Sequence, residues 1–244
     1  MKVYDALVDE RLRMAALLES LTADQLARPS LCTGWTVHDV AAHLVTYLRY
    51  GQVKIYLGIL ATGADFDRWN IMLTRRAARR PTAEIIARLR AGAAARTTIP
   101  RSGYDPVLTD IVLHDLDIRL ALGIHRQLAP DRLRVAFRHL AERPSPGYSM
   151  GHRLDGLRVT ATDTGWSHGA GALVTGPAEP LVLAMAGRRA ALGALSGDGV
   201  PILRDRLAGQ APRPALRHRL AAPLRVLLSP PPRERRARAA VLPE

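Results

Sequence analysis

Between Pro106 and Gly123 lies the stretch that most narrows the folds open to this chain. Val107, Asp110, Ile111, His114, Asp117, Ile118 and Ala121 follow one another along one face of a single helix. Leu108, Val112, Leu113, Leu116 and Leu120 fill the positions around that face, so the helix is apolar on almost every side and belongs inside a core. Asp105-Pro106 marks its start, with proline in the first turn, and Gly123 its stop. Three ionisable side chains therefore face apolar packing. A buried carboxylate without a cation or donors is expensive, so this helix calls for partners of complementary chemistry.

One such partner stands on an earlier helix. Thr36 caps it, Asp39 sits in its first turn, and Val37, Val40, Ala41, Leu44, Val45 and Leu48 form its apolar stripe. Gly58 and Gly63 mark its decline, so a helix running well past Leu48 is expected. His43 lies three residues after Val40 and four before Tyr47, on the inward face. Asp110 and His114 are one turn apart on their own helix, close enough to hold one ion together. Two imidazoles and one carboxylate suit zinc, or another first-row divalent ion, and leave positions open for water or substrate. The same three residues also suit a hydrogen-bonded core cluster without an ion.

The rest of the first half reads helical. Val3, Leu7, Met14, Leu17, Leu18 and Leu21 recur at helical spacing, with Arg11 and Arg13 read as falling off that stripe. Thr22 and Gln25 have capping-box spacing, and Pro29 to Gly34 is a loop. Residues 64–80 carry no decisive period. Thr82 opens a helix with Ile85, Ile86 and Leu89, and Asp131 to Ala141 forms another, with Leu133, Phe137 and Leu140 on one face.

Arg143-Pro-Ser-Pro-Gly147 is the clearest domain boundary. Beyond it the period changes: Leu157, Val159 and Ala161 alternate with polar residues, as in a strand with one buried face. Ala172 to Thr175 is a second strand, and Pro177 and Pro201 open short helices. The chain thus divides into a helical domain over 1–142, a small α/β domain over 150–208 and a tail over 209–244. The tail is rich in Pro, Arg and Ala and is expected to lack fixed structure.

The net charge of +13 invites a nucleic-acid reading, but its origin argues otherwise. Lysine occurs only at positions 2 and 54, which points to a GC-rich genome's preference for arginine rather than to a selected polyanion partner. Six of the thirteen charges come from the tail beyond Ala211. No apolar run is long enough to span a bilayer, and the first ten residues lack the apolar core of a secretory signal. One cysteine, Cys32, excludes an internal disulfide framework and suits a reducing compartment, so a cytoplasmic protein is expected.

Other reactive residues carry less. Cys32 has only His38 nearby as a base and reads as a buried structural thiol. Arg188, just past a helix end, could bind an anion, although by spacing alone a solvated surface arginine is the favoured reading. Gly197-Asp-Gly199 is a turn, and His125, His139, His152, His168 and His218 have no matching partners.

Leu31-Cys-Thr-Gly-Trp-Thr-Val-His-Asp-Val-Ala-Ala-His-Leu44 resembles the first metal motif of the actinobacterial, mycothiol-dependent maleylpyruvate isomerase family. Thr109-Asp-Ile-Val-Leu-His-Asp-Leu-Asp-Ile-Arg-Leu-Ala-Leu-Gly123 resembles the second. Leu157 to Ser167 and Leu181 to Gly199 resemble its C-terminal domain, so the likeness spans roughly residues 1 to 208. The resemblance implies an α+β two-domain fold. A DinB-like up-down helical bundle comes first, followed by a small α/β sterol-carrier-like domain. It implies metal ligands at His43, Asp110 and His114, with Asp110 standing where the family's isomerase carries Glu. It implies an active-site arginine, matched by Arg188, that holds a substrate carboxylate. Asp117 would orient His114 from behind the metal. The implied cofactors are a divalent metal, zinc first, and mycothiol. The implied partners are a small acidic substrate and that thiol, with neither nucleic acid nor membrane. The activity implied is cis-trans isomerisation or thiol transfer. A non-catalytic metal- or ligand-binding module, or a regulatory protein using the basic tail, is the alternative.

Overall fold

The computed structural model describes residues 2–48, 57, 58, 60, 63, 65–98, 103–142 and 154–208. The proposed boundary at 143–147 and the basic tail beyond 209 lie outside them.

Helix α1 (Val3–Ser20) buries Leu7, Met14, Ala15 and Leu18 along one side. Glu10 and Arg11 are buried as well, which corrects the expectation that Arg11 lies off the apolar stripe. Arg11 follows Leu7 by four residues and precedes Met14 by three, so it stands in the same row as its apolar neighbours. The short α2 (Ala23–Ala27) starts at the anticipated capping box of Thr22 and Gln25.

Helix α3 (Val37–Leu44) begins at a second such box, where Thr36 and Asp39 satisfy one another's backbone N–H groups. It ends at Leu44, well short of the expected length. The Thr46 hydroxyl donates to the His43 carbonyl at 2.7 Å, and Thr46 N–H donates to the same oxygen at 3.0 Å, closing the last turn tightly. The stretch without a decisive period contains α4 (Phe66–Ala77), capped by Asp65. Helices α5 (Thr82–Ala91), α6 (Asp105–Leu122) and α7 (Pro130–Glu142) follow, close to the anticipated bounds. Helix α6 is buried from Ile111 through Arg119 without interruption, as its all-round apolar character requires. It ends at Gly123, whose φ of +69° is the left-handed cap that glycine adopts without strain.

Three strands follow: β1 (Leu157–Ala161), β2 (Ser167–Gly169) and β3 (Ala172–Gly176). The order is β2-β1-β3, with β2 antiparallel and β3 parallel to the central β1. The chain therefore crosses from one edge of β1 to the other within Gly169-Ala-Gly171. A β-carbon at Gly169 would meet the Leu157 carbonyl oxygen at 2.3 Å, and one at Gly171 the Gly156 carbonyl oxygen at 2.1 Å. Only glycine permits that crossing. Helix α8 (Ala178–Met185) covers the sheet, followed by a 3₁₀ turn (Arg189–Ala194) and α9 (Gly199–Ala208). The arrangement is α+β.

Helix α1 packs on α5 and α6, α3 on α4, α5 and α6, and α8 on both α6 and α7. Charged contacts tie these layers together. Glu10 of α1 accepts from Arg126 at 2.9 Å and from Arg132 at 2.9 Å. Asp115 of α6 accepts from Arg119 at 2.6 Å, and Glu179 of α8 accepts from the Leu128 backbone N–H at 3.0 Å. No described helix is long and apolar enough to cross a membrane.

Candidate metal centre

Two helices bring His43, Asp110 and His114 together. The capping box sets the start of α3 and with it the rotation that turns His43 inward. The loop ahead of α3 is fastened to α6 by a hydrogen bond from Leu31 N–H to the Asp117 carbonyl at 3.1 Å. The α3–α6 contact therefore has a fixed register. On α6, Asp110 and His114 lie one turn apart.

One ligand atom from each of the three residues falls within 4.8 Å of the others. His43 Nε2 is 3.5 Å from both Asp110 carboxylate oxygens, and His114 Nε2 is 3.5 Å from Asp110 Oδ1. These spacings are long for hydrogen bonds. They are close to the separation of roughly 3.4 Å between two ligands placed tetrahedrally about 2.0–2.1 Å from a shared ion. Both imidazoles are buried, while the Asp110 side chain keeps a quarter of its surface exposed. The cluster therefore opens on the Asp110 side. By donor type and spacing, these residues fit a divalent metal ion.

The two imidazoles are oriented by different means. His114 Nδ1 donates to Asp117 Oδ2 at 3.0 Å, which turns Nε2 toward Asp110. Asp117 is fully buried and accepts two further bonds from Arg188, from Nε at 3.0 Å and from Nη2 at 2.7 Å. Burial pushes the Asp117 carboxyl up, but the Arg188 charge and the bonds from His114 and Arg188 outweigh it. The group is held below its ordinary value. Arg188 Nη1 donates to the Ala186 carbonyl at 2.8 Å. The carboxylate that Arg188 grips in this structure is thus Asp117, behind the candidate ligands.

His43 Nδ1 is buried without a hydrogen-bond partner among the described residues. Aromatic packing holds this ring instead. Trp35 lies against it at 5.2 Å between centroids and Tyr47 meets it edge-on at 6.0 Å. The Tyr47 hydroxyl is anchored by donation to Asn70 Oδ1 at 3.0 Å. Trp35 also lies nearly parallel to His114 at 6.4 Å. Sequence reasoning quoted Trp35 only as part of a motif and Tyr47 only as a spacing mark. An aromatic residue in the loop leading into a histidine-bearing helix was the available signal.

Cys32 and His38 do not form a pair. His38 Nε2 lies 2.9 Å from the Ala78 carbonyl and Nδ1 3.0 Å from the Thr82 hydroxyl, so the ring pins α3 to the α4–α5 connection. The carbonyl can only accept, so Nε2 carries a proton. Cys32 is half-buried rather than fully enclosed, and desolvation pushes its thiol up to about 11. Asp117 and Asp110 add to that rise, and Arg188 opposes it.

Residues 7–103 match the family model described as the mycothiol maleylpyruvate isomerase N-terminal domain. No curated protein matches the chain. Two solved structures do. One is the crystal structure of the mycothiol-dependent maleylpyruvate isomerase, at 15% identity and a TM-score of 0.45, covering 88% of this chain and 99% of that one. The other is a histidine-to-alanine mutant of that enzyme, at 14% identity and a TM-score of 0.46, with the same coverage.

Proposed function

We propose, from the match of residues 7–103 to the model of the mycothiol maleylpyruvate isomerase N-terminal domain, that this protein is a metal-dependent enzyme. It uses a low-molecular-weight thiol, mycothiol, in a cis-trans isomerisation or thiol transfer on a small acidic substrate. The observation that carries the reading is the convergence of His43, Asp110 and His114 with spacings of 3.5 Å around an opening.

His43, Asp110 and His114 would hold the ion. A divalent cation there supplies positive charge that lowers the pKa of a thiol brought against it. The protein's own groups do the rest. Asp117 accepts from His114 Nδ1 and so orients the ring with Nε2 toward the ion. Arg188 holds Asp117 ionised and in place, so it acts as a positioning residue. Trp35 and Tyr47 pack His43 into a single orientation. The exposed edge of Asp110 marks the side from which thiol and substrate enter. Cys32, with its raised pKa, stays a thiol at neutral pH and leaves the nucleophile's role to the incoming one.

Metal analysis of protein purified without added metal, followed by calorimetric titration with mycothiol, tests this directly. About one divalent ion per chain is expected from a three-ligand set, and loss of it in His43→Ala and His114→Ala. Mycothiol should bind the loaded protein and bind His114→Ala far more weakly. Absence of metal, with both variants melting like the parent, would reduce the cluster to hydrogen-bonded core. Metal without any heat or melting shift on adding mycothiol would remove the thiol from the reading.

A further inference from the structure

Six charged side chains other than histidine are buried among the described residues: Glu10, Arg11, Asp105, Asp115, Asp117 and Arg119. Five have an opposite charge in ion-pair contact. Glu10 meets Arg126 and Arg132, Asp105 meets Arg138, Asp115 meets Arg119, and Asp117 meets Arg188. Arg11 alone has no such counter-charge among the described residues. A buried charge without a partner is costly to maintain, so this exception requires a reason.

Part of the reason is structural. Arg11 Nη1 donates to the carbonyls of Ala93 at 2.9 Å and Ala95 at 2.8 Å, just beyond the C-terminal end of α5. A cation suits that end of a helix. These two bonds hold the guanidinium in a fixed orientation. Nε and Nη2 make no protein hydrogen bond among the described residues, yet neither atom is sealed from solvent. They form half of a rigid fork, the half that fits a carboxylate. Helix α1 packs on α6, where Tyr4 meets Tyr104 at one level and Arg126 joins Glu10 to Asp115 at another, and Asp110 lies on α6 between these two contacts. Burial disfavours the charged guanidinium, and the Asp110 carboxylate opposes that loss from a distance without an ion-pair contact; the Tyr4 and Tyr104 rings are 5.1 Å apart.

We infer that Arg11 forms an anion subsite beside the metal centre, taking a carboxylate of the acidic substrate on its Nε and Nη2. The bound carboxylate supplies the counter-charge that every other buried ion already has. The role of substrate-carboxylate ligand passes from Arg188, which grips Asp117, to Arg11. This deepens the proposed function and rests on it for the identity of the ligand as substrate, though not for the existence of the subsite.

Titration of the full-length protein with maleate, as a simple dicarboxylate probe, distinguishes the two. It is run on metal-loaded and on chelator-treated protein, with Arg11→Met and Arg11→Lys alongside. The dissociation constant should rise on the order of tenfold to a hundredfold in Arg11→Met, the scale of one charge-assisted contact. Arg11→Lys should fall between that variant and the parent, since it keeps charge without the fork. Maleate affinity equal in parent and folded Arg11→Met overturns the subsite, whatever the metal content. Arg11-dependent binding in protein that takes up no metal keeps the subsite and overturns the metal reading. Should Arg11→Met fail to fold, a crystal structure of the parent with maleate decides. A carboxylate within hydrogen-bond distance of Nε or Nη2 supports the inference, and maleate bound only elsewhere overturns it.

Discussion

Cys32 and His114 show how surroundings divide labour between two reactive side chains. His114 is hydrogen-bonded on one nitrogen and open on the other, while Cys32 is pushed by desolvation from an ordinary value of 9.0 to about 11. A two-unit rise leaves roughly a hundredfold less thiolate at neutral pH. In chelator-treated protein, iodoacetamide should therefore alkylate Cys32 far more slowly than a free thiol. A rate matching free cysteine would show that the thiol is not held protonated. The sign for stability follows. The folded value lies above the unfolded one, so the contribution is complete below about pH 9. It is lost as pH climbs through about 11. At this scale the convergence of His43, Asp110 and His114 was legible because each sits on a helical period that forces it inward. Arg11 was not, since a guanidinium in an apolar row looks like an interruption of it rather than a member. Trp35 escaped because a loop residue has no period to betray its direction.

Single elements are set by their ends. Thr36 and Asp39 close the capping box that starts α3, with contacts of 2.8–3.1 Å, and His43 rides on that helix two turns later. Thr36→Ala should cost about 1 kcal/mol, seen as a melting temperature lower by roughly 2–4 °C. Metal affinity should fall with it as the start of α3 frays; an unchanged melting curve would show the box to be dispensable. Gly123 ends α6 at φ +69°, and a β-carbon there would meet no atom within 4 Å. Gly123→Ala should then cost only the left-handed backbone strain, about 1–2 kcal/mol, without disturbing the metal centre. Chemical denaturation measures that cost, and a larger loss would mean hidden packing at the cap. Starts and stops of this kind were readable wherever a cap residue preceded an apolar row. The end of α3 was not, because Thr46 closes the last turn through its side chain, inside a row that continues apolar in sequence to Leu48. Strand β2 was missed because it spans three residues with no fully buried side chain.

Across the whole molecule, one of the contacts between the helical layers and the sheet-bearing part lies directly behind the candidate metal centre. Arg188 follows α8, Asp117 belongs to α6, and their paired contacts at 3.0 and 2.7 Å lie one residue removed from His114. Neither part positions the first imidazole alone, because Asp117 comes from one and its counter-charge from the other. Sequence reading found both residues but gave them separate tasks, since nothing in linear spacing announces a pairing across 71 positions. Arg188→Met should strand a buried carboxylate. Breaking such a pair costs about 3–5 kcal/mol, and loss of an outer support for a metal-binding histidine weakens metal binding about 10–100-fold. Asp117→Asn removes the same support from the other side. If the two act as one unit, the double variant should lose little more metal affinity and stability than either single one, a coupling that a double-mutant cycle reads directly. Additive losses in both quantities would mean that Arg188 supports the fold and Asp117 supports His114 independently. The sheet-bearing part would then be a neighbour of the metal centre rather than a component of it.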